Sequence, residues 1–484
     1  MVFSSLTFLY LFLPIALIFN YLTPYKYRNF VLLISSFVFY AWGGVSLTLL
    51  LLTSVIFNYF TGRLIGWQID KRRAKTVLVF GIAGNLLLLA YYKYTNFVVL
   101  NLSLLLDGFG LSFPVQDPGI ILPIGISFYT FQALSYLIDL YKCKVDVQKR
   151  FIDLALYISL FPQLIAGPIV RYHDIADQLR NRMNTTDKFV SGITRFVIGL
   201  GKKVLIANQF ALLADAAFQV APENLSTFVA WAGIIAYSIQ IYFDFSGYSD
   251  MAIGLGRMFG FEILENFNFP YIAKSIREFW KRWHISLTNW FRDYLYIPLG
   301  GNRQGEVRTY INLIIVFFLT GLWHGASWSF VAWGLVHGTF MIIERTGFGK
   351  ILDKLWKPVQ HIYTLFIVIL AWVLFRADDF SYAWGYYEAM FSYRSIQINR
   401  DMLEVFLNNQ VYVLLLVATI SSTRIWVIIH QFVKRKLQYT PGLNKDIIQI
   451  TRSILMLLFI GSVMLFATIS LIADTYNPFI YFRF

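Results

Sequence analysis

A histidine between two glycines is the residue of this sequence best placed for acid–base chemistry. His324 follows Gly321 and precedes Gly325, and apolar runs flank the segment on both sides. The glycine after it lets the chain turn, so the imidazole can face an internal cavity. Histidine takes and returns a proton near neutral pH. The pattern alone leaves two interpretations open, a general base or a histidine at a helix turn bonded to a carbonyl, and His337 has similar surroundings.

A second polar stretch, Ser275 to Arg303, interleaves aromatic and basic residues and includes His284. This interleaving favours an in-plane amphipathic helix at the cytoplasmic membrane interface. Its cations could bind membrane lipid head groups. They could equally bind the phosphates of a cytoplasmic donor, because arginine pairs bidentately with phosphate. The candidate donor-binding residues are Arg277, Lys281, Arg282 and Arg303.

Two further segments are unusual for their apolar surroundings. Asp244 and Asp250 lie in the run from Ile241 to Asp250, where buried carboxylates must be paired or protonated. They either pair with nearby arginines or line a cavity that accepts hydroxyl groups. The chain ends in the aromatic run Asn477 to Phe484, whereas free termini are usually polar. We expect this tail to insert into the protein or the membrane.

The composition indicates that membrane-spanning helices position these residues. Hydrophobic residues make up 57% of the chain and charged residues only 14%, against about 25% charged in soluble domains. The sequence therefore predicts an all-α polytopic membrane protein, formed by one domain over residues 1–484. The single cysteine, Cys143, excludes an internal disulfide and a cysteine-rich metal site, and no metal or bound cofactor is expected.

The net charge of +14 could indicate a nucleic-acid partner in a soluble protein. In a membrane protein, basic residues gather instead in cytoplasmic loops beside anionic lipid, so no nucleic acid is expected. Lys26 and Arg28 follow the first span and predict an N-terminus outside the cell, and the basic loops 63–75 and 142–150 are then cytoplasmic. We predict about 11 transmembrane helices around a central cavity, with re-entrant and in-plane pieces, the clearest re-entrant piece being Phe151 to Ala166.

Several motifs occur together and in order along the chain. They are Met1–Ser5, Leu122–Tyr129, Leu164–Pro168, Tyr242–Gly256, Glu278–Leu287, Asp293–Ile297 and Gly321–Ala326. In this combination the sequence resembles the membrane-bound O-acyltransferase superfamily, within it the branch of bacterial alginate O-acetyltransferase membrane subunits. Peptidoglycan O-acetyltransferases and D-alanyl-transferring proteins are similar more loosely.

The resemblance implies that an acyl group, usually acetyl, passes from a cytoplasmic donor to an extracytoplasmic polysaccharide. The donor would be acetyl-CoA or another acyl thioester. A secreted or periplasmic partner resembling SGNH hydrolases would complete the transfer, and the location would be the bacterial inner membrane. The family's catalytic histidine corresponds to His324 and its second polar position to His284.

The mechanism implied by the resemblance is a base-assisted attack on the donor. His324 would deprotonate an acceptor hydroxyl, and His284 would orient the donor or stabilise the oxyanion. The terminal motif implies that Tyr481 could relay the acyl group. Two other hypotheses remain open from the residues: a transporter or flippase of an acyl carrier that makes no bonds, and a scaffold that recruits polymer-synthesis partners.

Overall fold

The protein is described here from a computed structural model, which describes residues 1–111, 118–395, 402–439, 445–473 and 476–478. All regular elements in these ranges are helices, as the sequence predicts. The α-helices are Leu13–Leu22, Arg28–Ala41, Val45–Trp67, Lys71–Gly108, Ile126–Tyr141, Phe151–Ser159, Phe161–Leu164, Tyr172–Arg180, Thr186–Gly201, Asn208–Phe218, Thr227–Met258, Ile276–Trp280, Ile285–Phe291, Glu306–His324, Trp328–Ile343, Gly349–Leu352, Lys357–Arg376, Phe380–Phe391, Leu403–Phe406, Asn409–Ser421, Ile425–Tyr439 and Lys445–Ala473. Short π-helices form Phe8–Phe12, Lys202–Ala207, Arg292–Tyr296 and Glu344–Phe348, and 3₁₀ turns form Tyr25–Tyr27, Pro222–Asn224 and Pro270–Ile272.

Seven helical stretches within the described ranges are long and apolar enough to cross a bilayer, or eight if one bent pair counts as a span. They are Val45–Trp67, Lys71–Gly108, Thr186–Phe218, Thr227–Met258, Glu306–His324, Lys357–Arg376 and Ile447–Ala473, and the bent pair is Asn409–Ser421 with Ile425–Val433. The count of about 11 is not confirmed. It included the regions of four helical stretches shorter than the roughly 20 residues that a bilayer requires: Phe8–Leu22, Arg28–Ala41, Ile126–Tyr141 and Trp328–Ile343.

The helix Lys71–Gly108 corrects one predicted boundary. The apolar run in the sequence predicts a span from Thr76 to Tyr92. The helix instead continues through Lys93 for 38 residues, and Lys93 is buried.

Close contact between glycines brings together the helices Thr186–Gly201 and Thr227–Met258. A Cβ atom on Gly199 would lie 2.5 Å from the Gly247 carbonyl oxygen, and one on Gly254 would lie 2.6 Å from the Gly192 carbonyl oxygen. Small residues at these positions let two membrane helices approach backbone to backbone. The second helix of this pair, Thr227–Met258, contains Asp244 and Asp250.

The segment Phe151 to Val170 is interior to the protein. It forms the short helices Phe151–Ser159 and Phe161–Leu164, and every residue from Asp153 to Val170 is buried. Broken backbone at membrane depth is tolerated only where protein or water satisfies it. The burial of this segment by surrounding helices meets that condition.

The basic and aromatic stretch 275–303 is not one amphipathic helix. It forms the short pieces Ile276–Trp280, Ile285–Phe291 and Arg292–Tyr296, with a break at His284. Phe279, Trp280 and Trp283 are buried, so this part of its aromatic face packs on the protein interior. The reason is that the aromatic rings find partners there: Trp283 lies 5.0 Å from Trp372, measured between ring centroids.

Basic segments from distant parts of the chain meet at one end of the helix bundle. Tyr59, near the basic loop 63–75, donates a hydrogen bond of 2.8 Å to the carbonyl of Lys149. Arg171 pairs with Asp293 at 2.5 Å, which brings a third basic region beside the stretch 275–303. Asn312, near the start of the helix Glu306–His324, binds the Gly301 carbonyl, and the helix Trp328–Ile343 runs back beside it to Glu344, which binds the Ile276 amide. We call this end, defined by segments 63–75, 142–150, 171–182 and 274–282, the basic end.

Candidate functional site

The helix Glu306–His324 ends inside the protein and presents His324 at its last position. Gly325 adopts an extended backbone conformation, and the next helix begins at Trp328. The two helices cross closely, because a Cβ on Gly334 would lie 2.2 Å from the Phe317 carbonyl oxygen. The chain therefore turns at Gly325, as predicted, and His324 is only 4% exposed.

Two neighbouring residues of the helix Lys71–Gly108 bind the last carbonyl groups of the His324 helix. Tyr94 donates its hydroxyl hydrogen to the Leu322 carbonyl at 2.8 Å. The Lys93 ammonium donates to the carbonyls of Trp323 and His324. Helix ends leave such carbonyls without intrahelical partners, so this contact satisfies the helix end that carries His324.

His284 occupies a strained turn between two short helices. Its φ angle is 44°, in the left-handed region that non-glycine residues rarely adopt. Its Nδ1 lies 3.1 Å from Asn266 Oδ1, which also accepts from the backbone N–H of Ser286 at 3.1 Å and from the Ser286 hydroxyl at 2.8 Å. Asn266, which is not itself part of the turn, thereby fixes the turn at His284.

The Asn266 contacts determine which nitrogen of His284 carries a proton. A backbone N–H can only donate, so the Asn266 atom facing Ser286 must be the acceptor oxygen. His284 Nδ1 must then donate to the same oxygen. In the neutral imidazole the other nitrogen, Nε2, keeps its lone pair. Neutral His284 is thus suited to accept a hydrogen bond, and it would donate to an oxyanion from Nε2 only after protonation.

The two histidines lie side by side at the boundary between two hydrophobic clusters. Their ring centroids are 6.4 Å apart. Trp323, which belongs to one of these clusters, lies 5.0 Å from the His324 ring. Trp333 and Phe375, which belong to the second cluster, lie 5.0 and 5.2 Å from the same ring. The structure therefore brings together the two histidines that the sequence singled out, in an aromatic environment.

Two cavities lie on either side of Lys93. One, of about 90 Å³, is lined by His324 and Trp323 together with the turn Leu122–Phe128 and Ile165–Ala166. The other, of about 310 Å³, is lined by Gly325–Ser327 and by Arg376 and Asp378. Lys93 and Leu122 line both. His324 thus borders a cavity at the C-terminal end of the helix Glu306–His324.

A larger polar cleft of about 510 Å³ opens at the basic end. Its lining includes three of the four predicted donor-binding residues, Arg277, Lys281 and Arg282. Arg303 is exposed and is not among the lining residues. Arg282 is committed to protein contacts, because it pairs with Glu278 at 2.7 Å. Within the described residues, Arg277 and Lys281 have no carboxylate within 4.0 Å of their charged groups.

Two carboxylates of the cleft differ in their electrostatics. Partial burial alone would raise the pKa of Glu278, but hydrogen bonds from the Lys274 amide and from Arg282 hold that pKa below its usual value. Burial raises the pKa of Glu344, although its carboxylate accepts hydrogen bonds from the backbone N–H groups of Ile276 and Arg277. Glu344 therefore binds the start of the segment Ile276 to His284 at the wall of the cleft.

The cleft and the histidine pair are separated along the helix Trp328–Ile343. Trp333 contacts His324, and Glu344 lines the cleft eleven residues later. At 1.5 Å per residue this gives about 16 Å between the two levels. The segment from Ile276 to His284 spans the same interval, with Trp280 packed 5.2 Å from His337 partway along. His337 itself lines none of the three cavities.

Asp244 and Asp250 are both held in ion pairs. Asp244 lies 2.9 Å from the Lys203 ammonium, and both side chains are buried. Asp250 pairs with Arg195 and Lys202 at 2.6 and 2.7 Å. Pairing with cations was one of the two interpretations of these residues, and neither lines the three cavities described above, so a cavity-lining role for them stays a prediction.

Tyr481 lies outside the described residues, but residues 476–478 just before it are described. The Asn477 amide donates to the Ser4 carbonyl at 2.8 Å. The Lys203 ammonium, which pairs with Asp244, also donates to the Pro478 carbonyl. Residues 476–478 therefore lie against the protein interior, next to the turn of helix that contains Asp244.

Lys93 and Asn266 are two site residues that the sequence analysis did not single out. Lys93 gave a signal, because an ionisable residue within an apolar helix is a functional candidate by default. Lys93 lies directly after the predicted span from Thr76 to Tyr92 and so was not assigned to the membrane interior. Asn266 gave none, since its contact with His284 depends on a turn that only the fold defines. In the described ranges no three His, Cys, Asp or Glu side chains come together to hold a metal ion.

We expect Asn266→Ala to lower turnover in the acyl transfer that the resemblance implies, by about 10- to 100-fold, because the His284 ring would lose its orientation. Steady-state assays in membrane vesicles, normalised to folded protein, would measure this. Asn312→Ala is the matched control: it removes another buried amide, which binds the Gly301 carbonyl, and should leave turnover per folded molecule unchanged. Equal losses in both variants would contradict the prediction.

Comparisons with known proteins identify the family of this chain. The model of the membrane-bound O-acyltransferase family matches residues 146–376, which include both histidines. The chain is 48% identical over 400 residues to the probable alginate O-acetylase AlgI of Pseudomonas aeruginosa, covering 82% of this chain and 76% of that protein. It is 42% identical to the protein of the same name from Pseudomonas putida, covering 100% of both chains. It is 34% identical to the peptidoglycan O-acetyltransferase of Helicobacter pylori, covering 100% of this chain and 98% of that one. The chain belongs to the membrane-bound O-acyltransferase family and is a multi-pass membrane O-acyltransferase.

Proposed function

We propose that the protein moves an acetyl group from a cytoplasmic thioester, such as acetyl-CoA, towards O-acetylation of an extracytoplasmic polysaccharide. The names of its relatives support alginate or peptidoglycan as the polymer class. The observation that carries the proposal is the position of the histidine pair, with cavities on one side and a polar cleft on the other.

The direction of transfer follows from the basic end. Basic residues favour the cytoplasmic side of a membrane, so the cleft at that end would open to the cytoplasm and the cavities beside His324 towards the outside. In a bacterium, a cleft open to the cytoplasm supports a location in the inner membrane.

The chemical step uses His324 as the general base. Its imidazole takes the proton of an acceptor hydroxyl, whose oxygen attacks the thioester carbonyl carbon. The new C–O bond forms, the C–S bond breaks, and the proton passes from His324 to the departing thiolate. His284, with Nδ1–H committed to Asn266, orients the donor through Nε2. The aromatic walls exclude water that would hydrolyse the thioester.

His324→Ala should reduce acetyl transfer by about 10²- to 10⁴-fold, because the general base is lost. Transfer of radiolabelled acetyl from acetyl-CoA in inverted membrane vesicles would measure it. His337→Gln is the matched control, since His337 is also buried, in the adjacent helix, but lines none of the three cavities described above. Normal transfer by a well-expressed His324→Ala protein would exclude the base assignment.

The polar cleft is the proposed docking site for the donor's phosphates. Arg277 and Lys281 are its cations without a carboxylate partner in the described structure, so they are available to an anionic ligand. The path from this cleft to His324 is about 16 Å along the adjoining helix, which suits a donor that carries its acyl group on an extended arm. Arg303, exposed outside the cleft lining, is the weakest of the four candidates.

Arg277→Ala combined with Lys281→Ala should raise the KM for acetyl-CoA about tenfold or more, because charge-assisted hydrogen bonds are lost. The kcat should change much less, since neither residue is near the histidines. Titration of acetyl-CoA in the vesicle assay separates the two constants. The control is Arg308→Ala, which removes an exposed cation outside the cleft; the same rise there would point to surface charge in general.

Tyr481 is proposed as the internal acceptor that relays the acetyl group outward. Residues 476–478 are anchored beside Lys203 and Asp244, and the next helical residue, Phe245, lies 4.7 Å from the His284 ring. Tyr481 comes three residues after Pro478, a reach of up to about 10 Å of extended chain. A phenol needs a base to become a nucleophile, and His324 would supply it. A secreted partner of the SGNH-hydrolase type would then accept the group and acetylate the polymer.

Mass spectrometry of the C-terminal peptide tests the relay. We expect an acetyl adduct, 42 Da on the phenol of Tyr481 by the chemistry of acetylation, after incubation with acetyl-CoA and without the partner. The adduct should be missing from the His324→Ala protein and from Tyr481→Phe. Full transfer by Tyr481→Phe, with no adduct under any donor condition, would exclude the relay and leave the base assignment standing.

A further inference from the structure

Lys93 is a buried cation whose hydrogen-bond donors are all used by the protein. Its ammonium donates to the carbonyls of Trp323 and His324 and to the hydroxyl of Ser127, the last two at 3.3 Å. A lysine ammonium has three N–H donors. The side chain is 8% exposed, and no carboxylate lies within 4.0 Å of it among the described residues.

The partner of this charge is the C-terminal end of the helix Glu306–His324. Aligned peptide dipoles give a helix C-terminus a partial negative charge, which a cation stabilises. Lys93 meets this end at its last two carbonyls, and Tyr94 meets the preceding one. The ammonium also lies 5.8 Å from the centre of the Trp323 ring, a cation–π distance.

We propose that Lys93 is a positioning residue of the acyl-transfer reaction, which holds the helix end so that His324 faces the cavity. This inference rests on the proposed role of His324 as the base. Because each N–H of Lys93 has a protein acceptor, Lys93 acts through the helix end and does not itself bind the developing oxyanion. Lys93 lines both cavities. Loss of its hydrogen bonds to the helix end would therefore change the turn at Gly325 and the shape of both cavities.

The charge and the geometry of the ammonium both matter in this arrangement. A neutral side chain of similar length would leave the carbonyls of Trp323 and His324 buried without a donor. Buried carbonyls that lose their partner cost free energy, and the helix end would rearrange to recover one. A displacement of about 1 Å in a catalytic group can cost about 100-fold in rate.

The test is Lys93→Met in the full-length protein, assayed for acetyl transfer from acetyl-CoA in inverted vesicles. We expect kcat to fall about 100-fold while the KM for acetyl-CoA changes less than about twofold, because the donor cleft is remote. Lys93→Arg, which keeps the charge and several donors, should recover most of the rate. Tyr94→Phe is the matched control, since it removes one neutral hydrogen bond at the same helix end, worth about fivefold or less.

Three results would overturn the proposal. Wild-type kcat in Lys93→Met excludes a positioning role, and a raised KM with unchanged kcat would make Lys93 a substrate ligand instead. If Lys93→Met and Lys93→Gln both fail to accumulate while His324→Ala accumulates normally, Lys93 serves folding alone. The His324→Ala protein, assayed in parallel, separates the two hypotheses: its activity would refute the base, whereas an active Lys93→Met protein beside an inactive His324→Ala protein refutes only the positioning role.

Discussion

A helix that ends within an apolar bundle must find partners for its last carbonyl groups, and the rest of the site depends on how this protein meets that requirement. The helix Glu306–His324 ends at the histidine, and Lys93 and Tyr94 of another helix bind its final turn. A broken helix is what allows an imidazole to stand at the rim of a cavity instead of along a helix face. The same break exposes backbone that only buried donors can satisfy.

Broken backbone also links the polar cleft to the histidine pair. Glu344 binds the start of the segment Ile276 to His284, and Asn266 binds its end. The cleft and the histidine pair are thus joined by one short, well-anchored stretch of chain. A donor bound at the cleft would lie along that stretch, beside aromatic rings that keep water out.

The sequence predicted the helical membrane class, the position of His324 beside a turn, and four donor-binding cations, of which three line the cleft. These features can be predicted from local sequence, because the turn depends on the glycine directly after His324 and the basic surface depends on arginines that are close together in the chain. It could not predict that Phe279 and Trp280 pack inward, since the choice between lipid and protein depends on helices Trp328–Ile343 and Lys357–Arg376. Nor could it reveal the acceptor role of Asn266, which requires the left-handed turn at His284.

The contact of Asn477 with Ser4 bears on the order in which the protein assembles. These residues are separated by 473 positions. Closing so long a loop costs chain entropy, which a few direct contacts do not offset. The contact can therefore form only after the intervening helices have packed and brought both ends together. Seating of residues 476–478 becomes a late folding event. Until it occurs, the cleft and the histidine pair can be in place while residues 476–478 still lie away from Ser4 and Lys203.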